Sequence, residues 1–507
     1  MHRMRKITVI AVSLAFVAAA CGSDDDDAAT TTGGGAASTV AATTPAATDA
    51  PADTEAPADT EAPADTEAPA DTEAPADTEA PADTEAPADT DAPVDSVDPA
   101  SITFDIGVDE DSIKVGMNAD LSGIFAPLVT QIVDSQEAYW EIVNDNGGIG
   151  GREVELVILD NGYDVPKHLE NYEVFSGDGE EAVVMFSQST GSPHTAATAE
   201  QLVEDDLIAI PLTWYSGWAD PEVGKNVFEA QTLYCIESMN GVSFLAEQTG
   251  GTKIAIASFP GEYGQDGATG AKIAAEALGL EVVYDGEGAV VPGADQTPVI
   301  TAIAESGADF VWLSTNPTTM AEILGGAYEK GFRGMWSGNS PTYNFQLLGT
   351  DLAPVLDEVY VHSTYQALWN TEDTPGMTEV VEGMREKRPD APVSDVYIVG
   401  WIEGYITQAI LEQAAANGDM TRAGVVAAAN EITADLKGLA PNQTWAGEPN
   451  DYIVRESYMF DVDLSKYTPG ATVSDEDAGT GFTLLEGPFV SDVAADFDFQ
   501  EPCFVSG

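Results

Sequence analysis

The chain is 507 residues long and carries 87 Asp or Glu against 18 Lys or Arg, a formal net charge of −69. That excess excludes nucleic acid and anionic lipid as partners of the folded part, since both would repel it. His168, His194 and His362 are the only histidines past the N-terminal segment and show no ligand spacing. No nucleophile elbow, P-loop, dinucleotide fingerprint or His-Glu-x-x-His run occurs, so no metal, no cofactor and no enzymatic activity are expected.

Met1–Lys6 is basic, Ile7–Ala20 is apolar but too short for a permanent span, and Ala18-Ala19-Ala20-Cys21 is a small-residue cleavage site, which together predict a signal peptide over residues 1–21. Cys21, followed by Gly22-Ser23 and four Asp, is similar to a bacterial lipoprotein processing site and implies an acylated cysteine. Lipid would be the sole membrane attachment, because no later apolar run is long enough to span a bilayer. Residues 22–98 hold 21 Asp or Glu and no Lys or Arg, and Glu-Ala-Pro-Ala-Asp-Thr repeats six times from Glu55 to Thr90. Proline at that frequency with self-repelling charge predicts an extended tether, assigned to residues 22–111, with a reach between roughly 50 and roughly 240 Å. Residues 99–507 still carry −51 once leader and tether are set aside.

Ile113–Met117 reads as a strand, Asn118–Gly123 as a polar loop, and the chain from Pro127 as a helix burying Val129, Ile132, Val133, Trp140 and Val143. Asn146-Gly147-Gly148 ends that helix, and Glu153–Asp160 is a second strand, dense in Val, Ile and Leu as in a parallel sheet covered on both faces. A helix over Pro166–Ser176, a strand over Ala182–Phe186 and a loop over Ser187–Ser192 come next, followed by a helix from Pro193 with Ser192 as its cap. Leu207–Leu212 is the next strand and Thr213–Trp218 its loop. The loops at 120–126, 187–192 and 213–218 thus converge on one rim, where open parallel sheets place ligands.

The pattern then restarts, with strands at Lys253–Phe259, Leu280–Tyr284, Asp309–Ser314 and Gly334–Trp336 separated by helices. Glu358–Tyr365 reads as a strand returning to the first lobe, Thr378–Arg388, Val396–Ala416 and Arg422–Ile432 as helices there, and Tyr452–Val462 as a third crossing. Thr468–Gly507 reads as irregular. The fold expected is α/β: two Rossmann-like lobes with parallel sheets joined by a three-strand hinge. One lobe is assigned residues 112–232 and 360–455, the other 233–359 and 456–507 with a C-terminal extension.

The opening Ile-Lys-Val-Gly, the Leu-Ser-Gly loop, the long helix and Asn-Asp-Asn-Gly-Gly-Ile-Gly-Gly-Arg resemble the branched-chain amino-acid type of ABC-transporter substrate-binding protein, with the type I periplasmic binding fold. The resemblance runs from about Ser112 to about Val462. In that family a Ser-Ser or Ser-Thr pair binds the ligand carboxylate, which implies such a role for Ser189, Thr190 and Gly191. A helix N-terminus behind them suits an anion, while the plainer alternative is that Ser192 only caps the helix. Tyr263-Gly264 resembles the family's second-lobe Tyr-Gly, whose ring closes over the ligand. Trp214, Tyr215 and Ser216 on the facing loop, with Ser122 and Phe125 on the first, complete the candidate ligand-binding set. Where the family presents a carboxylate to the ligand's ammonium, this chain has Asn339 in Ser337-Gly338-Asn339-Ser340-Pro341. Either Glu262 takes that role or the ligand lacks an ammonium.

The reading is an extracytoplasmic, lipid-anchored, monomeric solute-binding protein on the outer face of the cytoplasmic membrane. It would close on a small amphipathic amino acid, carboxylate or amide and deliver it to ABC permease subunits. A ligand sensor of the same fold and a secreted hydrolase are the alternatives, the latter without an identifiable nucleophile and base. Cys235 and Cys503, the cysteines left in an exported chain, are expected to pair.

Overall fold

The structure, a computed structural model, describes residues 101–505. The signal peptide, Cys21 and the tether up to residue 100 lie outside the described residues. Residues 101–111, assigned to the tether from sequence, instead lie on the first lobe. Ile102 and Val108 are buried there, and strand β1 (Thr103–Phe104) runs parallel to Asp419–Met420.

The first lobe follows as β2 (Ser112–Ala119), α1 (Ala126–Asp145), β3 (Glu153–Asp160), α2 (Val165–Ser176), β4 (Met185–Thr190), α3 (Ser192–Glu204) and β5 (Ala209–Leu212). Its strands form a parallel sheet in the order β3-β2-β4-β5. The second lobe repeats the plan with α4 (Tyr234–Thr249), β6 (Lys253–Ser258), α5 (Glu262–Leu278), β7 (Glu281–Gly286), α6 (Thr297–Ser306), β8 (Phe310–Ser314), α7 (Pro317–Glu329) and β9 (Met335–Gly338). This sheet is also parallel, in the order β7-β6-β8-β9.

From β9 the chain passes through α8 (Ala353–Val359) and β10 (Val361–Thr364) to α9 (Pro375–Lys387), α10 (Tyr397–Asn417), β11 (Asp419–Met420) and α11 (Arg422–Ala429). A short pair, β12 (Thr433–Ala434) and β13 (Gln443–Thr444), and the turn α12 (Pro449–Tyr452) lead to β14 (Ser457–Tyr467), β15 (Thr480–Phe489) and α13 (Asp492–Asp496). β10, β14 and β15 make an antiparallel sheet, and a bridge between Trp336 and Tyr360 attaches it to the edge of the second lobe's sheet.

Three sequence expectations shift. β4 runs on through Thr190, so Ser189 and Thr190 belong to a strand end rather than a loop. The strand expected at Glu358 starts only at Val361, because Ala353–Val359 is helical. The segment after Thr468 is not irregular: β15 pairs with β14 through several register shifts. Its alternation is masked by Gly481, Gly487 and Pro488, and pairing with β14 supplies the order that local propensity does not.

Packing explains the rest. α10 buries nearly its whole length because Gly400 and Gly404 let it approach α1; a Cβ at Gly400 would strike the Ile132 carbonyl and the Ser135 hydroxyl, and one at Gly404 the Tyr139 ring. Arg422, at the start of α11, is buried and donates to the carbonyls of Phe175, Ser176 and Val183, tying that helix to the first sheet. Each lobe has its own core, one around Ile113, Trp140 and Ile402 and the other around Ile236, Ile254 and Trp312. A third cluster, from Val129 and Phe125 through Tyr263 to Phe482, spans both lobes. Cys235 on α4 and Cys503 are joined by a disulfide across a sequence separation of 268. By the chain-entropy model a loop of that length contributes up to ~5 kcal/mol. Cys503→Ser is therefore expected to lower the urea midpoint of unfolding clearly and to free one thiol in denatured, unreduced protein.

Candidate functional site

The cluster shared by the lobes lines a partly open cavity. One wall is aliphatic, made by Leu128, Val129 and Ile132 on α1 and by Val396 and Val399 at the start of α10. These positions recur at helical spacing, which in sequence reads as ordinary core. Leu212 and Leu368 extend that wall, and Phe345 and Phe482 face it. Aromatic rings close the mouth: Phe125 lies 5.0 Å from Tyr163 and 6.2 Å from Tyr263, Tyr263 lies 4.6 Å from Tyr234, and Trp214 lies 4.6 Å from Tyr365, measured between ring centroids.

Thr190, Gly191 and Ser192 form the polar end of this mouth. Gly191 has φ of +100°, and a Cβ there would collide with His194 and crowd the Tyr163 ring, so glycine is required by close approach. The Thr190 hydroxyl accepts from Gln188 Nε2 at 2.9 Å and retains its own proton to donate. At the start of α3 the N–H groups of Ser192 and His194 have no intrahelical partner, Pro193 between them having none, and they and the helix dipole favour negative charge at the same spot. No Lys or Arg is among the residues lining the cavity, and Asp395 is the single carboxyl there.

Of the residues predicted from sequence, Phe125, Thr190, Gly191, Trp214 and Tyr263 line the cavity. The others lie beside it. Ser189 bonds the Thr195 hydroxyl at 2.8 Å beneath α3. Ser122 donates to Asp160 at 2.6 Å on the outer rim. The Tyr215 hydroxyl donates to the Phe504 carbonyl at 2.6 Å. Ser216 donates to Asp266 and accepts from the Cys503 amide at 2.8 Å. Asn339 is fully buried; its amide donates to the Tyr234 carbonyl at 2.9 Å, Glu237 at 3.0 Å and Ser238 at 3.1 Å, and its oxygen accepts from Ser314. Glu262 stands in the first turn of α5, outside the cavity lining. Tyr163, Tyr343, His362 and Asp395 line it but carried no motif, since strand ends and helix starts far apart in sequence meet there only in the fold.

Glu237 is the partner that holds Asn339. It is buried and also accepts from the Ser340 amide at 2.9 Å and the Ser363 hydroxyl at 3.0 Å, yet burial outweighs those bonds and raises its pKa to about 7. Burial raises Asp266 and Asp395 to about 7 in the same way.

Two parallel-sheet lobes around a buried, mostly apolar cleft with an anion-favouring corner define a solute-binding protein of the two-lobed α/β class. The chain belongs to the periplasmic binding protein family, whose model matches residues 112–468. A search of curated protein sequences gives no match. Among solved structures, a fatty acid ABC transporter substrate-binding protein from Thermomonospora curvata is 29% identical, with a TM-score of 0.70 over 80% of this chain and 98% of that one. A branched-chain amino acid ABC transporter protein from Thermus thermophilus with bound valine is 18% identical, with a TM-score of 0.63 over 76% of this chain and 98% of that one. A solute-binding protein from R. palustris in complex with 4-hydroxybenzoate is 17% identical, with a TM-score of 0.60 over 71% and 95%. The chain is thus an extracytoplasmic solute-binding protein of this family, not an enzyme. Among the described residues no helix is long and apolar enough to cross a membrane.

The raised carboxyls make a pH signature. A carboxyl whose folded pKa lies above its unfolded value binds its proton more tightly in the native state, so stability falls as pH rises from the ordinary Glu range to about 7 and then levels off. Thermal unfolding is expected to give a higher Tm near about pH 5 than near about pH 8, with a shallower slope in Glu237→Gln.

Proposed function

We propose that this protein is the lipid-anchored receptor of an ABC importer and that its ligand is an aliphatic chain carboxylic acid. The carboxylate sits at Thr190–Ser192 and the chain runs between α1 and α10. The observation that carries this reading is the cavity lining: hydroxyl and helix-terminus donors at one corner, no anionic partner for an ammonium beside them, and aliphatic side chains beyond. The fatty-acid-binding relative supports the same class. The lobes divide at residues 232, 359 and 455, and they close on the ligand as a monomer that presents it to permease subunits.

Each methylene buried on binding is worth about 0.8 kcal/mol, or roughly a fourfold gain in affinity. Calorimetry on straight-chain acids is therefore expected to show affinity rising by about that factor per carbon until the cavity is full, and Thr190→Val to weaken every acid by roughly tenfold. Binding restricted to free α-amino acids would remove this reading. Mass spectrometry of small molecules released from natively purified protein is the direct complement.

Anchoring rests on Cys21, which lies outside the described residues. Cys21→Ala is expected to leave the precursor unprocessed by the lipoprotein route or to release the protein to the medium; normal membrane retention of the variant would overturn the anchor.

A further inference from the structure

A cavity for a plain hydrocarbon chain has no use for buried polar atoms, because each one without a partner costs free energy. This cavity nevertheless carries a group of them on the wall formed by β10, the loop after β9 and the start of α10. Tyr343, Gln366 and His362 are 3%, 4% and 6% exposed. The Tyr343 hydroxyl, the Gln366 side-chain oxygen and the His362 Nδ1 have no hydrogen-bond partner among the described residues, and neither does the Asn344 amide nitrogen beside them. His362 on β10 and Gln366 at the bend just beyond that strand both line the cavity. The Tyr343 and His362 rings are 5.1 Å apart, and Phe482 packs 5.4 Å from His362 and 5.6 Å from Tyr343. Asp395 lines the same wall, one of its oxygens accepting from the Trp369 amide at 3.1 Å and the Thr480 hydroxyl at 2.6 Å.

We propose that the cavity takes a chain acid bearing a second, uncharged polar group remote from its carboxylate, a hydroxyl above all, held by Tyr343, His362 and Gln366. This rests on the chain-acid reading of the same site and narrows it. The set offers both donors and acceptors, Tyr343 and Asn344 donating and Gln366 accepting, which a hydroxyl can answer in both directions. A second carboxylate is disfavoured: burial holds His362 neutral, with a pKa of about 3, no Lys or Arg lines the cavity, and Asp395 would repel it. The carboxylate corner is built from different elements, the junction of β4 and α3, so both groups are satisfied at once only by a bifunctional molecule.

The test is calorimetry on the full chain with straight-chain acids from octanoic to hexadecanoic, each compared with its ω-hydroxy acid, its α,ω-diacid and its ω-amino acid. At the matching length the ω-hydroxy acid is expected to bind at least about tenfold tighter than the parent acid, and tighter than the diacid and amino acid. Tyr343→Phe, which removes one oxygen and keeps the ring, should bring hydroxy and parent acids to similar affinity, as should His362→Phe. Parent acids that bind as tightly as their hydroxy derivatives at every length would overturn this inference alone. A preference unchanged in Tyr343→Phe, or one for the diacid or amino acid, would overturn it as well. Failure of every acid in the series to bind would overturn the ligand class, and this inference with it.

Discussion

The cleft depends on one buried carboxyl. Glu237 on α4 gathers the Asn339 amide, the Ser340 backbone and the Ser363 hydroxyl, and so joins a helix of the second lobe to the end of β9 and to β10. Both segments it holds are cavity walls: Ser340–Phe345 on one side, and His362 and Thr364, alternating with Ser363, on the other. Had the carboxyl projected into the cavity it would have met a ligand's ammonium. Turned into the protein, it fixes the wall and leaves Asp395 as the one carboxyl in the lining.

What sequence could reveal follows from how locally each feature is determined. The β-α-β units of both lobes were legible because their central strands are buried on both faces and their helices are punctuated by glycine and proline, as at Pro127 and Gly147-Gly148. Thr190 and Gly191 were legible because a motif carried them. Asn339 was read as a ligand contact because its position matched one, while its partner Glu237 lies about a hundred residues earlier, in a helix whose pattern only says that it is buried. The aliphatic wall was hidden in the same way: Val129 and Ile132 look like core whether they touch another side chain or a bound chain. β15 escaped because its glycines and proline break the alternation that a partner strand later imposes.

Charge sets a second constraint. The body carries −51 over residues 99–507, so an anionic ligand approaches against the overall field, although salt confines that repulsion to within about 8 Å of the surface. Under the proposed function, capture of such a ligand comes from short-range groups, and the Ser192 and His194 N–H groups at the start of α3 are of that kind. They act where water has been removed and the dielectric is low, where the same dipoles count for more than the distant carboxylates.

The disulfide between Cys235 and Cys503 also orders events in time. Cys235 begins the second lobe, yet its partner follows every strand of that lobe's sheet and the added strands β14 and β15. A chain emerging N-terminus first can complete the sheet of the first lobe early, but the second stays unclasped until Cys503 has arrived in an oxidising space. The second lobe is thus the last part of the molecule to be covalently fixed.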